Sequence, residues 1–287
     1  MIAIYKKELR TYFTSIIGWL FLAFFLAFVG IYMYTYNFRA GYAYFGYTLD
    51  SITFIFAILV PLVTMRIMAE ERRQKTDQLL LTSPVPIWKI VAGKYFSLVT
   101  IVGIAMAVIC VYPLIIARFG VVNFAMSYSA IFGLFMVGCA YIAIGLYISS
   151  VTESQAFAAV MTFIVVLLTT WADAIAMTIP PTAKAAWLTY SVIWALVAVW
   201  MWRTMKNVVI ASVLFAVGEV ALTAVYLMNG ALLEGTVFKV ISPLAILNVY
   251  KKTISGVFEL HMPVYYLSIA FVFCFLTYQA IRKRRYN

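Results

Sequence analysis

Apolar residues run along this chain in long blocks separated by short polar stretches. The blocks cover about 16–36, 51–68, 95–117, 129–150, 156–177, 187–203, 207–228 and 264–281. Each is close to the ~20 residues a helix needs to cross a hydrocarbon core, so the pattern predicts eight spans. Pro61 falls inside the second block, where a helical bundle tolerates a kink. Residues 1–15 read differently. Ile2, Tyr5, Leu9, Tyr12 and Phe13 form one stripe, opposite Lys6, Lys7, Arg10 and Thr14. That spacing predicts an amphipathic helix lying on the membrane surface. Gly145 and Ser149 form a small pair one helical turn apart, read here as helix packing. Residues 229–263 form a long, fairly apolar outer loop. Within it Pro243 to Phe258 is expected to be an interfacial helix, with Leu244, Leu247, Ile254 and Phe258 on one side.

The strongest interruption lies between the second and third blocks. Arg66, Glu70, Glu71, Arg72, Arg73, Lys75, Asp77, Lys89 and Lys94 crowd into one stretch, nine of the 31 charged residues of the chain. Mixed charge at that density is not soluble in lipid, so residues 69–94 are read as a solvated loop. Thr76 is suited to cap a short helix, with Asp77 in its first turn. Leu79, Leu80 and Leu81 then make an apolar knob, and Pro84 and Pro86 end the helix. Such a knob outside the bilayer needs burial, either against the membrane and the chain's own spans or against a soluble partner.

Composition sharpens the class. The 287 residues are 66% hydrophobic and only 11% charged, with a mean hydropathy of +1.01. A soluble domain is nearer 45–50% apolar and 25% charged. The chain is therefore an all-α integral membrane protein, a polytopic bundle of about eight transmembrane helices. The net charge of +11 is explained by where it sits. In the eight-span layout, 15 of the 21 Lys and Arg residues fall on the side of the N-terminal helix, the charged loop and the tail. That bias places both termini in the cytoplasm. The tail Arg282-Lys283-Arg284-Arg285 reads as a stop-transfer anchor, not a nucleic-acid site. Cys110, Cys139 and Cys274 all lie in apolar runs and show no disulfide or metal spacing. The first block is too long for the apolar core of a cleavable signal and is expected to remain as a span.

Reaction chemistry is hard to find in the sequence. Gly93-Lys94 has Trp88 where a phosphate-binding loop needs its first Gly, and Tyr95 where it needs a hydroxyl. The single histidine, His261, excludes a two-histidine metal motif and reads as a loop residue. No serine-nucleophile elbow occurs. Catalytic, cofactor-binding and metal-binding residues are thus expected to be absent, and the chain is read as not an enzyme. Asp50 and Asp173 sit near span ends. Glu219 is different, because it lies in the middle of the seventh block. A carboxylate there must face the bundle, a cavity or a partner, or stay protonated. It is a candidate pathway or proton-site residue, set against a purely structural, protonated or paired carboxyl.

The charged stretch also carries a resemblance. Thr64-Met65-Arg66, Ala69-Glu70-Glu71-Arg72-Arg73-Gln74, Thr76, Leu79-Leu80, Pro84 and Gly93-Lys94 resemble the cytoplasmic loop of type 2 ABC exporter permeases, in particular the gliding-motility (GldF-like) subgroup. Lys7-Glu8-Leu9-Arg10 with Tyr12-Phe13 is similar to that family's N-terminus. Tyr265-Tyr266-Leu267-Ser268, Phe275-Leu276-Thr277 and Arg284-Arg285 are similar to its last span. The family pattern has Gly where Lys75 stands and Glu where Gln78 stands, and residues 179–242 form an unmatched insert with two extra spans. The resemblance implies a six-helix permease core plus two helices, with a cytoplasmic coupling helix. It implies a multi-pass subunit of a bacterial plasma membrane, working with cytoplasmic ATPase subunits that hold the ATP and Mg. A second permease chain, identical or paralogous, is implied as well. Glu70, Glu71, Arg72, Arg73, Thr76, Leu79 and Leu80 are the residues it assigns to ATPase coupling. Two rival readings stand beside it: an ion-coupled secondary transporter, and an ABC-type assembly that signals or transmits force to the envelope.

Overall fold

The computed structural model describes residues 1–82, 85–205, 208–255 and 260–286. Within a few of its helices the side chains of residues 79–81, 200, 204, 205, 210, 211, 229 and 286 lie outside the description. Every regular element among the described residues is helical. The first half of the chain forms α1 (Ile2–Thr14), α2 (Ile16–Met33), α3 (Gly46–Thr64), α4 (Arg66–Arg73), α5 (Asp77–Thr82), α6 (Ile87–Ile109), α7 (Tyr112–Ile116) and α8 (Phe124–Val151). The second forms α9 (Gln155–Thr178), α10 (Ala183–Met205), α11 (Val208–Asn229), α12 (Thr236–Ile241), α13 (Ile246–Ile254) and α14 (His261–Tyr286). Seven helices are long and apolar enough to cross a membrane, and an eighth crossing exists if the bent pair Ser212–Met228 and Gly230–Leu244 is one span. This is the polytopic helical bundle the apolar blocks predict.

Two boundaries differ from the block pattern. The stretch after the second block does not leave helix at 69. It is interrupted only at Met65 and continues as α4 to Arg73, with Ile67, Met68 and Ala69 buried. The third span begins at Ile87, not near 95, so Lys94 lies inside a helix and is fully buried. Charge density marked both regions as solvated loop, but ion pairing within the protein keeps them helical.

The helices fall into two compact units, Met1–Leu168 with Val249–Asn287, and Thr169–Asn248. In the first, α8 packs against α3, α4, α6 and α14. Its segment Val137–Leu146 is buried all round, as a helix apolar on every face must be. Asn123 starts α8 by accepting the Met126 N–H at 3.2 Å, a side-chain N-cap. Phe25 of α2 and Phe56 of α3 are wholly buried with ring centroids 5.1 Å apart. Lipid is as apolar as these side chains, so helix association in a membrane rests on close packing more than on the hydrophobic effect. Trp19, Phe24 and Ile31 of α2 and Phe271 of α14 are exposed, positions suited to hydrocarbon contact. In the same unit the side chains of Tyr250 and Ile254 on α13 are buried.

The second unit is built on the α10–α11 hairpin. Ala186, Leu233 and Val237 form its small core, with Trp187, Tyr190 and Tyr226 packed around it. Leu188, Leu196, Val213, Val217 and Val220 are exposed. In the loop expected over 229–263, α12 and the first turn of α13 belong to this unit. Leu247 is buried and Leu244 exposed. Phe258 lies outside the described residues.

Candidate functional site

The site is assembled where α3 gives way to α4. Pro61 lies inside α3, and the helix breaks at Met65. Ser149 of α8 fills the break. Its hydroxyl donates to the Met65 carbonyl at 3.0 Å and accepts the N–H groups of Met68 and Ala69 at 3.2 and 3.1 Å. Backbone groups at the interruption are thus satisfied inside the protein, as a membrane protein requires. One turn earlier on α8, Gly145 lies against Thr64. A Cβ at Gly145 would stand 2.2 Å from the Thr64 hydroxyl oxygen. The Gly145–Ser149 pair therefore does more than lower bulk, since it seats the helix break directly on α8.

Four charged side chains lock α4 to α1 and α6. Lys94, with no exposed side-chain surface, directs its Nζ to Glu8 Oε1, Glu71 Oε2 and the Ile67 carbonyl, each at 2.9 Å. All three ammonium donors are satisfied. Lys7 reaches the other oxygen of Glu71 at 2.9 Å and lies 3.6 Å from Glu8. The cluster holds two positive and two negative charges, so burial leaves no net charge. Partial burial works to lower the pKa of Lys7, but the hydrogen bond and charge of Glu71, with the charge of Glu8, outweigh it and raise the pKa above its ordinary 10.5. A hollow of about 300 Å³ lined by Lys7, Glu8, Arg66, Glu70 and Glu71 opens beside the cluster. Gly93 lets α1 approach α6 here, because a Cβ would lie 3.2 Å from Ile4 and the Met1 carbonyl.

The remaining charges brace the same junction. Arg66 pairs with Glu70 at 2.7 Å, donates to Ser15 at 3.1 Å and stacks 5.7 Å from the Tyr12 ring centroid. Tyr12 is buried and donates to the Val63 carbonyl at 2.7 Å. Arg72 bonds the Ser150 carbonyl at 3.3 Å and Glu153 at 3.1 Å, which ties α4 to the tight turn after α8. Arg73 is exposed and makes no ion pair among the described residues. At the far end, Arg284 of α14 lies 4.0 Å from Asp77. The N-terminal helix, α4–α5 and the C-terminal end of α14 thus gather at one end of the first unit.

Between α4 and α5 the chain makes a Schellman turn. The Thr76 N–H bonds the Glu71 carbonyl at 3.0 Å, and the Lys75 N–H bonds the Arg72 carbonyl at 3.1 Å. Lys75 has φ +57°, the left-handed conformation glycine adopts most cheaply. That is the position where the resembled pattern has Gly, so the substitution retains the turn at an energetic cost. The Thr76 hydroxyl turns back to the Glu71 carbonyl at 3.3 Å. The side chains of Leu79 and Leu80 lie outside the described residues, although their backbone belongs to α5.

Glu219 belongs to the second unit. Its Oε2 accepts from Ser191 of α10 at 3.1 Å, and the Thr223 hydroxyl donates to its backbone carbonyl. Its other carboxyl oxygen, Oε1, is buried and has no hydrogen-bond partner.

Of the residues singled out in the sequence, Glu70, Glu71, Arg72, Arg73 and Thr76 are brought together here. Glu71 and Arg72 hold the chain's own helices, and Arg73 faces outward. Sequence reasoning missed Lys94, Glu8 and Ser149 as parts of the site. Glu8 did carry a signal. It sits on the face of α1 that carries Tyr5 and Tyr12, and an acid on an apolar stripe implies a buried partner.

The model of a family described as ABC-2 family transporter protein matches residues 2–189. No match was found among curated proteins or among solved structures.

Proposed function

The chain belongs to the ABC-2 transporter family and is a membrane-spanning permease subunit; from that premise we propose that it works in an ATP-driven exporter whose ATP and Mg²⁺ are bound by separate cytoplasmic ATPase chains. The surface offered to them is α4–α5, with Arg73, Gln74, Lys75, Thr76 and Gln78 exposed. Leu79 and Leu80 supply the apolar anchor. Both termini and α4–α5 lie in the cytoplasm, and a second permease chain completes the path. Within the family, the residues from Thr64 to Lys94 favour the gliding-motility type.

The observation that carries this reading is the buried Lys94 cluster. A push on α5 has to reach the spans to be useful. Through Glu71, Lys94 and Glu8 it reaches α6 and α1, and through Arg72 it reaches the end of α8. Ion-coupled transport by Glu219 is the second reading, favoured by its unpartnered buried oxygen. Co-purification tests the first. A tagged chain is expected to bring down an ATPase chain, and Leu79→Ala with Leu80→Ala is expected to release it, since two buried leucines contribute roughly 1.5–3 kcal/mol each. Retention of stoichiometric ATPase by a well-inserted double variant would remove the leucines from the docking surface.

A further inference from the structure

A groove of about 980 Å³ runs along the outside of the first unit between α6, α8 and α14. Trp88, Tyr95, Phe135, Phe271, Cys274 and Tyr278 line it. It follows the half of α6 that begins at Trp88, and it follows α14 toward its C-terminal end. The Tyr95 hydroxyl donates to the Cys139 carbonyl at 3.2 Å, which leaves the ring itself as the wall. Such a slot takes hydrocarbon.

Its mouth is basic. Lys89 Nζ lies 5.6 Å from the ring centroid of Trp88. Arg282 is exposed and follows Tyr278 by four residues on α14, so the two share a helix face. Neither Lys89 nor Arg282 makes an ion pair among the described residues. Arg285, on the next turn, donates to the Val85 carbonyl at 3.4 Å and joins the ends of α14 and α6. A hydrocarbon slot ending in Trp and Tyr rings and then in two uncompensated cations matches one kind of occupant. We propose that the groove holds an anionic phospholipid of the leaflet on the side of the two termini, its acyl chains in the slot and its phosphate at Lys89 and Arg282. A zwitterionic lipid fills the same slot but brings no net charge to the two cations. The lipid sits between two helices that bear on α4–α5, because α6 carries Lys94 and α14 reaches Asp77 through Arg284. It therefore sets their spacing.

Purified chain in dodecylmaltoside, titrated with dioleoylphosphatidylglycerol or dioleoylphosphatidylcholine and read by native mass spectrometry, tests this. The anionic lipid is expected to bind roughly twenty-five-fold more tightly, about fivefold for each basic side chain. Lys89→Gln with Arg282→Gln is expected to abolish the preference and leave phosphatidylcholine binding unchanged. Equal affinities in the parent, or a preference that survives in the variant, overturn the proposal. Cys274 gives a second readout in a Cys110→Ser, Cys139→Ser background. Phosphatidylglycerol is expected to slow its alkylation by N-ethylmaleimide in the parent and not in the Lys89/Arg282 variant. Bridging of Cys274 between two copies by a bifunctional thiol reagent in membranes also overturns it, because the groove is then a contact between chains.

Discussion

Replacing Lys94 by Met keeps the length of the side chain and removes its charge. The ammonium has three contacts at 2.9 Å, two of them to carboxylates. At an effective dielectric of 20, one unit-charge contact at that range is worth about 5–6 kcal/mol before desolvation is subtracted. Desolvation of a wholly buried lysine offsets much of this gain, so the net value of the intact cluster is small. Loss of the cation alone is another matter. Glu71 keeps Lys7, but Glu8 is left buried with Lys7 only at 3.6 Å. Removing one partner of a buried pair typically costs about 3–5 kcal/mol, and that is the loss expected for Lys94→Met. Adding Glu8→Gln and Glu71→Gln removes the stranded charges and is expected to restore at least half of the loss. Unfolding in nanodiscs, followed by tryptophan fluorescence and checked by gel filtration, gives both values. A Lys94→Met variant within about 1 kcal/mol of the parent, or a triple variant no more stable than the single, would refute the claim that this cluster holds α1, α4 and α6 together.

Other substitutions probe the neighbouring geometry. Lys75→Gly is expected to be neutral or stabilising by up to about 1 kcal/mol, and Lys75→Val to cost about 1–2 kcal/mol, because the left-handed backbone excludes branched side chains; equal melting temperatures for the two would place Lys75 in ordinary helix. Gly145→Ala gains about 1 kcal/mol of helix propensity but drives a methyl into Thr64, so a net loss of roughly 1–3 kcal/mol is expected in the same unfolding assay, and a gain would show that α3 and α8 are not in contact there. Glu219→Gln is expected to assemble normally in the membrane; transport that survives makes Glu219 structural, and transport lost from a well-assembled chain makes it part of a pathway.

The architecture was legible from apolar block length alone, because hydrocarbon thickness fixes how long a span must be. The amphipathic helix was legible for the same kind of reason, from its period. The charged segment was legible as a place but not as a structure. Nine charges in one stretch look solvated when read along the chain, and the partners that bury them are distant. Lys94 is 86 residues from Glu8, and Arg72 is 81 from Glu153. Ser149 read as one half of a small-residue packing pair. Its hydrogen bonds bridge an interruption of the helix at Met65 that nothing in the local sequence locates. Lys75 read only as a departure from the Gly of the resembled pattern; its φ of +57° gives the reason a Gly suits that position.

The proposed function puts the contact with an ATPase chain at α4–α5. A photo-crosslinking amino acid placed at Gln78, or at Lys251 as the control, in the tagged chain in native membranes tests it most directly. Irradiation followed by mass spectrometry is expected to join Gln78 to an ATPase chain and to leave Lys251 unjoined to it. No ATPase adduct at Gln78, or equal adducts from both positions, would contradict the account.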